Sequence, residues 1–176
     1  MTLLTEFKRP ILFLVKFIVL YFVLNLCYGL FVDYYSPSID PFTDWVAENT
    51  AFVLRIIGYS VDSVPSNNMP HSVIKQGPLS VISVFEGCNG INIAIIFASF
   101  IFVFSKPNAK MIWFILLGLI VIHITNLIRI CLLFYVAINL EDYFYFTHKY
   151  FFTAIIYVVV FVMWYIWVSK IAVSAD

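Results

Sequence analysis

Four long apolar runs limit what this chain can fold into more than any other feature. They cover about residues 11–32, 89–104, 111–130 and 150–168. An α-helix needs about 20 apolar residues to cross the hydrocarbon core of a bilayer, and each run except the shorter second one reaches about that length. The pattern therefore predicts an all-α integral membrane protein with about four transmembrane helices.

The composition agrees with a membrane protein and argues against several other classes. The chain is 63% hydrophobic and 11% charged, whereas soluble domains have roughly 45–50% apolar and 25% charged residues. Its formal net charge of zero gives no indication of nucleic acid as a partner. Cys27 lies within the first apolar run, and Cys131 lies in apolar sequence that could extend the third run to Ile138, so no disulfide framework is indicated. We expect one membrane domain that includes residues 1–176.

The first apolar run has two interpretations. Lys8 and Arg9 precede it, as basic residues do in a cleaved signal peptide. However, the run is long for a signal core, and residues 28–32 near its end contain no pair of small residues suited to cleavage. We therefore expect an uncleaved transmembrane helix with Pro10 in its first turn.

The segment 33–88 is the one long polar stretch of the chain. It begins with turn-forming residues at 36–41, after which Thr43 or Asp44 could cap a helix that runs to about Ile57. This pattern predicts an amphipathic helix on the membrane surface rather than a short span. Its apolar side chains fall roughly on one face: Trp45, Val46, Phe52, Val53, Ile56 and Ile57.

The sequence after this helix predicts a loop and then a small β-structure. Residues 64–70 have the composition of a loop. Residues 72–84 partly alternate polar and apolar side chains around Gly77-Pro78, a pair that favours a turn. We expect two short strands here, joined as a β-hairpin.

The distribution of charge orients the chain. If the spans alternate, one side carries five basic residues: Lys8, Arg9, Lys106, Lys110 and Lys170. The other side is mainly acidic and carries Asp33, Asp40, Asp44, Glu48, Asp62, Glu86, Glu141 and Asp142. Basic loops stay in the cytoplasm. We therefore predict a multi-pass protein of the inner (plasma) membrane, with both termini cytoplasmic and segment 33–88 extracytoplasmic.

Cys88 differs from the other two cysteines because it lies in a polar stretch just before an apolar run. Gly87 and Gly90 leave the backbone there open to approach. A helix N-terminus carries partial positive charge, which favours a thiolate over a thiol. We expect Cys88 to be accessible from outside and to have a lowered pKa, while Cys27 and Cys131 are buried.

Two further side chains should reach the same membrane boundary as Cys88. Arg129 lies 18 residues after Met111, which at ~1.5 Å per residue is about one hydrocarbon thickness. His148 comes just before the fourth run. The candidate catalytic residues are therefore Cys88, Arg129 and His148. The candidate supporting residues are Asn126, which lies three positions before Arg129 and so on nearly the same helix face, Glu86 and Asn89.

Each of these side chains also has a purely structural interpretation. Arg129 could extend from its helix to lipid headgroups, and His148 could pack among the aromatic residues at 143–146. Glu86 could be a solvated loop charge. The convergence of a thiol, a guanidinium and an imidazole at one boundary favours a catalytic site over these alternatives.

Three sequence motifs resemble the exosortase/archaeosortase family of membrane-embedded cysteine enzymes. They are Gly87-Cys88-Asn89-Gly90, Asn126-Leu127-Ile128-Arg129-Ile130 and His148, and the resemblance covers about residues 80–165. Many family members have Ala or Ser beside the cysteine, and many have more spans. This chain therefore resembles a short, core-only form.

The resemblance implies both an activity and a substrate class. Family members cleave C-terminal sorting signals from exported proteins, and such a signal has a short motif, a transmembrane segment and a basic tail. The family's Cys, Arg and His correspond to Cys88, Arg129 and His148. The implied enzyme is a thiol protease or transpeptidase, a hydrolase in which Cys88 forms a thioester. Water or an acceptor, either a lipid or a glycan, would release the product. The sequence indicates no cofactor and no metal.

Two other functions fit the sequence alone. The chain could be a small non-catalytic membrane subunit, a scaffold or assembly factor in which the three residues only pack. It could also be an acyltransferase that moves a fatty acyl chain through the same cysteine. Retained function in a Cys88→Ser variant would favour the scaffold, and labelling of Cys88 by acyl-chain probes would favour the acyltransferase.

Overall fold

The computed structural model describes residues 7–66 and 69–172. The chain is 75% helical, with a small sheet between Pro41–Ile56, the second α-helix, and Ile91–Phe104, the third. Residues 1–6 and 173–176 of the predicted domain, and residues 67–68 of the predicted loop, lie outside the described residues. The elements are α1 (Lys8–Tyr35), α2 (Pro41–Ile56), β1 (Asp62–Pro65), β2 (His71–Gln76), β3 (Leu79–Phe85), α3 (Ile91–Phe104), α4 (Ala109–Asn139) and α5 (Phe152–Ile166).

Three helical stretches among the described residues are long and apolar enough to cross a membrane. They are Lys8–Tyr35, Ala109–Asn139 and Glu141–Ile171, the last of which contains α5. α3 is also apolar but has only 14 residues, about 21 Å of helix, which is less than the ~30 Å thickness of the hydrocarbon core. The prediction of a helical, multi-pass membrane protein is confirmed, with the second apolar run forming the shortest of these helices.

The helical stretch around α5 is irregular at both ends. A short α-helical turn at Phe144–Phe146 leads into a π-helical turn at Thr147–Phe151. A second π-helical turn, Trp167–Ala172, follows α5. A π turn inserts an extra residue into a helix and occurs frequently at functional sites. His148, one of the candidate catalytic residues, lies on the first of these turns.

The sequence predicted Thr43 or Asp44 as the N-cap of α2. In the structure the cap is Asp40. The Asp40 carboxylate accepts hydrogen bonds from the backbone N–H groups of Phe42 at 3.1 Å and Thr43 at 2.9 Å. Pro41 occupies the first helical position, where the missing N–H costs nothing. Thr43 is therefore free to bond elsewhere, and its hydroxyl contacts the segment that carries Cys88.

The small β-structure has one strand more than predicted. The predicted hairpin is present as β2 and β3, which pair in antiparallel fashion around a turn where Gly77 has a φ of 58°. The additional strand, β1, pairs with β2 and forms an edge of the three-stranded sheet. Its four residues include Pro65, which lacks a backbone N–H and is tolerated at a sheet edge.

The amphipathic helix α2 buries a face that its sequence pattern did not reveal. Its buried residues Val46, Ala47, Ala51 and Leu54 belong to one core cluster with Ile74, Ile82 and Val84 of the sheet and with Ile130 and Phe134 of α4. Trp45, Phe52, Ile56 and Ile57 are exposed. The prediction that Val46 shares one apolar face with these four residues is wrong, because the sheet and α4 offer a second apolar surface.

A second core cluster joins α3, α4 and the last helical stretch. Its buried members are Phe97, Ile101, Met111, Ile122, Val160, Met163 and Trp167. α1 packs along the outside of α3 through edge-to-face contacts of Phe13 and Phe17 with Phe100. The first cluster includes Cys88 of the segment that connects β3 to α3, and the second includes residues of α3 itself, so each end of that connection is tied to a core.

The close packing of α4 against Phe97 gives a prediction about stability. A β-carbon at Gly118 would overlap the fully buried ring of Phe97. Overpacking costs about 1–3 kcal/mol, more than the roughly 1 kcal/mol that alanine gains over glycine in a helix. Gly118→Ala should therefore lower the thermal unfolding midpoint of the purified protein in detergent.

Gly29 provides the matched control for this substitution. It also lies in a long apolar helix, but nothing lies within 4 Å of the β-carbon it would gain. Gly29→Ala should leave the unfolding midpoint unchanged or raise it slightly. Equal effects of the two substitutions would show that the α3–α4 contact is not tightly packed in the protein.

Candidate active site

The segment between β3 and α3 presents Cys88. A 3₁₀ turn at Glu86–Cys88 follows β3, and α3 begins only at Ile91. The sequence suggested that Cys88 begins this helix. In the structure Cys88 instead precedes its first residue by three positions. Gly90 adopts a φ of 88°, a left-handed conformation that favours glycine. A β-carbon there would also come within 3.4 Å of the Asn126 side chain.

Asn89 anchors this segment to two other helices. Its amide nitrogen donates to the Tyr28 hydroxyl at 2.6 Å and to the Thr43 hydroxyl at 2.7 Å. Its side-chain oxygen accepts from the Ile91 N–H at 2.9 Å. Asn89 is 1% exposed, so these bonds form away from solvent. Sequence reasoning missed Tyr28 and Thr43, which appeared there only as part of an apolar run and as a possible helix cap.

The structure places Cys88 and His148 side by side. The Cys88 Sγ lies 3.7 Å from the His148 Nε2, although the two residues are 60 positions apart. The imidazole stacks on the ring of Phe144, with the planes 7° apart and the centroids separated by 5.8 Å. Phe144 therefore fixes the plane of the ring, and no signal in the sequence singled it out from its aromatic neighbours.

Arg129 and Asn126 complete the cluster around Cys88. The Asn126 side chain donates to the Cys88 carbonyl at 2.8 Å and accepts from the Arg129 Nη1 at 3.4 Å. Asn126 is fully buried. The Arg129 guanidinium also interacts with the Cys88 thiol. Asn126 thus links the backbone of the cysteine to the cation, and both helical residues come from α4.

Burial dominates the electrostatics of the thiol. The Cys88 side chain is enclosed, with 6% of the residue exposed. This desolvation raises the pKa of the Cys88 thiol, the positive charge of Arg129 opposes that effect, and Glu86 adds to it. The prediction of a lowered pKa is therefore wrong for the resting protein, because the loss of water around sulfur outweighs the neighbouring cation.

The three cysteines also differ from the prediction in their burial. Cys88 is the buried one, Cys27 is exposed on the surface of α1, and Cys131 is intermediate. The sequence had suggested the reverse, because it could not distinguish an apolar surface that faces lipid from one that faces protein. Exposure on an apolar helix of a membrane protein means contact with lipid rather than with water.

Two of the cavities that touch the segment 86–90 are lined by Cys88 or by Arg129. The smaller one, of about 40 Å³, is lined by Cys88 and His148 together with apolar side chains that include Leu133 and Phe144. The larger one, of about 210 Å³, is lined by Glu86, Arg129 and residues of α3 and α5. Glu86 therefore lies near the cluster but faces a different space from the thiol. Within residues 7–66 and 69–172, no three His, Cys, Asp or Glu side chains are arranged to hold a metal ion.

Comparison with known protein families identifies the family of this chain. A family model described as transmembrane exosortase matches residues 1–168 of the chain. This chain belongs to the exosortase family. In this exosortase the match also includes α1, α2, β1 and β2, which precede the region where the sequence motifs had suggested the resemblance. No curated protein and no solved structure matches the chain.

The electrostatics of this exosortase predict how its thiol should react as pH changes. Because burial raises the pKa of Cys88, the rate of alkylation by a small neutral reagent should reach its midpoint above the free-thiol value of about 8.5. Arg129→Ala should move the midpoint further up, since the guanidinium favours the thiolate. The rates are measured against pH by mass spectrometry in a Cys27→Ser, Cys131→Ser background.

Arg55 is the matched control. It is also an arginine, but it lies outside the Cys88 cluster, and its Nη1 is 3.8 Å from the Asp62 Oδ1. Arg55→Ala should leave the midpoint where it is. A wild-type midpoint below 8.5 would contradict the dominance of burial. An equal shift in both arginine variants would mean that the effect comes from net charge rather than from contact.

Proposed function

We propose that this protein is a membrane-embedded cysteine peptidase and transpeptidase that cleaves C-terminal sorting signals of exported proteins. The observation that carries the proposal is the 3.7 Å separation of the Cys88 Sγ and the His148 Nε2, with the Arg129 guanidinium beside the same thiol. A nucleophile in contact with a general base, with a cation close to both, is the set of groups that acyl transfer requires. Family membership supports the same chemistry.

In the first half of the proposed reaction, Cys88 replaces the amine of the scissile peptide bond. The His148 Nε2 takes the thiol proton as the sulfur attacks the carbonyl carbon, and a tetrahedral oxyanion forms. Arg129 stabilises the negative charge on sulfur and then on oxygen. His148 returns the proton to the leaving amine, the carbon–nitrogen bond breaks, and a thioester remains on Cys88.

The buried thiol bears on when the nucleophile forms. Because desolvation raises the pKa of Cys88, a standing thiolate is not the resting form at neutral pH. Proton transfer to His148 during attack avoids that cost. The cavity of about 40 Å³ is also much smaller than a peptide segment, so substrate binding requires the lining side chains to move apart.

The site lies at the extracytoplasmic boundary of the inner membrane in this proposal. Arg129 is 20 residues beyond Ala109, the first residue of α4, and that distance is about 30 Å, one hydrocarbon thickness. The turn before α4 contains Lys106 and belongs to the basic side of the protein. Basic loops stay in the cytoplasm. Both termini then lie in the cytoplasm, and a membrane-anchored sorting signal can present its cleavage point at the site.

Single cysteines at two exposed positions test this orientation. Ser80 is exposed in β3, in the sheet that packs against the Ile130 end of α4, and Ala109 is exposed at the first residue of α4. In a cysteine-free background, a membrane-impermeant maleimide added to intact spheroplasts should label Ser80→Cys and not Ala109→Cys. The reverse pattern would overturn the orientation and, with it, an extracytoplasmic site.

The direct test of the proposed function is capture of the thioester. Intact-protein and peptide mass spectrometry of enzyme from cells that make exported proteins should find a peptide fragment attached to Cys88, removable by hydroxylamine. The adduct should be absent from Cys27 and Cys131. Attachment of a fatty acyl group to Cys88 instead would support the acyltransferase interpretation and contradict this one.

A further inference from the structure

The larger cavity beside the nucleophile has no task in the cleavage half of the reaction. It measures about 210 Å³, and none of its lining residues also lines the smaller cavity that holds the Cys88 thiol and the His148 imidazole. Gly87, the neighbour of Cys88 in the chain, lies in its wall. The segment 86–90 therefore separates two spaces that both adjoin the nucleophile.

The two charged side chains in the wall of the larger cavity, Glu86 and Arg129, do not form an ion pair with each other. Glu86 and Arg129 both line it, yet the ion pair found within the described part of the chain is Arg55–Asp62. The Arg129 Nε is buried without a hydrogen-bond partner in the structure. A guanidinium has five N–H donors in a planar fork, and its contacts with Asn126 and Cys88 leave donors for a ligand.

The remaining lining residues favour a small polar ligand at the edge of the membrane. Asn92, Thr153 and Tyr157 add an amide and two hydroxyl groups to the wall. Ile93 and Ile156 make the rest of it apolar. A ligand that satisfies both charges must carry a positive group for Glu86 and a negative group for Arg129, because an unpaired charge in an enclosed site is costly.

We propose that this cavity is the acceptor subsite and that the acceptor carries a primary amine close to an anionic oxygen group, a carboxylate or a phosphate. The inference rests on the proposed function, since it names the molecule that takes the acyl group from Cys88. The anion binds the free donors of Arg129, and the ammonium group binds Glu86. The sulfur is near, because Gly87 of the cavity wall precedes Cys88 in the chain and Asn126 bonds both the Cys88 carbonyl and the Arg129 guanidinium.

The transfer step balances with the groups present. The ammonium first gives one proton to the Glu86 carboxylate and becomes a neutral amine. Its nitrogen attacks the thioester carbonyl, the carbon–nitrogen bond forms, and the carbon–sulfur bond breaks with sulfur leaving as thiolate. The second proton of the nitrogen passes to His148 and then to Cys88, which restores the thiol, and Glu86 releases the first proton to water. The product is an amide, and no oxidant, reductant or cofactor is consumed.

Small probes test the acceptor chemistry without the natural substrate. The full-length protein, in a Cys27→Ser, Cys131→Ser background, is placed in bilayers whose lipids carry only quaternary-amine headgroups. Cys88 is acetylated with 4-nitrophenyl acetate, and loss of the acetyl group is followed by mass spectrometry. β-Alanine should accelerate that loss with saturation and yield N-acetyl-β-alanine, about tenfold faster than propylamine at equal concentration, as expected for one charge-assisted hydrogen bond. Propionate should compete with β-alanine.

Glu86→Gln should slow the amine-dependent loss of the acetyl group by a similar factor for β-alanine and propylamine, because both probes carry the ammonium group that Glu86 binds. The matched control is Glu48→Gln, because Glu48 is a glutamate in the wall of a different cavity, beside Arg55. That variant should keep the wild-type rates with both amines. Equal slowing in both variants, or wild-type rates in Glu86→Gln, would overturn the inference.

Bilayers with a primary-amine phosphate headgroup distinguish the two sources of such an acceptor. Acetylated lipid would assign the lipid headgroup as acceptor, whereas acetyl transfer to β-alanine alone would assign a soluble one, and either supports the amine–anion chemistry. Acetylation of Cys88 followed by loss at a rate that no probe changes overturns the acceptor subsite alone. If the ester never acetylates Cys88, the proposed function fails and the inference fails with it.

Discussion

Cells in which Cys88 is replaced by serine should retain the C-terminal segment on every exported protein that the wild-type enzyme processes. The rate of processing should fall by at least about 10³-fold, because removal of a catalytic nucleophile commonly costs more than that. Serine is close to cysteine in size, so the core around position 88 stays filled. A hydroxyl is a far weaker acid than a thiol, and His148 alone does not make it an effective nucleophile here.

The measurement is mass spectrometry of the C-termini of exported proteins, with the amount of enzyme in the membrane determined in parallel. Cys27→Ser and Cys131→Ser are the matched controls, since neither thiol lies in the wall of the active-site cavity. Both controls should process substrates at the wild-type rate. Normal processing by Cys88→Ser would show that the thiol only packs, and it would favour the scaffold interpretation.

Much of the helical architecture was available from the sequence because lipid leaves few alternatives. A long apolar run must form a helix in a bilayer, where every backbone polar group needs a partner within the segment. Arg129 and Asn126 also came together as expected, since positions three apart share a helix face, and the structure places them 3.4 Å apart. In both cases one local rule decides the outcome.

The features that the sequence did not reveal depend on contacts between distant segments. β1 is four residues long and ends in Pro65, so it has too few positions to display an alternating pattern. Tyr28 reaches Asn89 across 61 positions of sequence, and nothing local distinguishes it from other aromatic residues of α1. The face that α2 buries became visible only with the sheet in place.

The raised pKa of Cys88 illustrates the same limit in electrostatic terms. The sequence identified the nearby cation and the nearby carboxylate correctly, and both act in the expected directions. It could not supply the degree of burial, because burial results from the packing of β3, α4 and the turn that carries His148. Desolvation always raises the pKa of a thiol and is the largest cause of this shift, but its size could not be judged from a list of neighbours.

Replacing His148 with glutamine should lower the rate of processing by about 10²–10⁴-fold, the range typical of a general acid–base residue. The glutamine amide can still lie near the Cys88 sulfur, where the imidazole Nε2 lies at 3.7 Å. It cannot accept a proton from the thiol and return it to the leaving amine. The loss should therefore appear in kcat and much less in KM, measured with a substrate identified from the C-terminal mass spectrometry.

The pH profile separates this role from a merely structural one. When kcat of the wild-type protein is plotted against pH, one transition should come from the coupled titration of the Cys88 thiol and the His148 imidazole. His148→Gln should remove that transition. His71→Gln is the matched control, because His71 lies on β2 outside the active-site cavity, and its profile should match the wild type. If His148→Gln lowers the rate but keeps the wild-type profile, the imidazole fills space beside Phe144 and another group carries the proton.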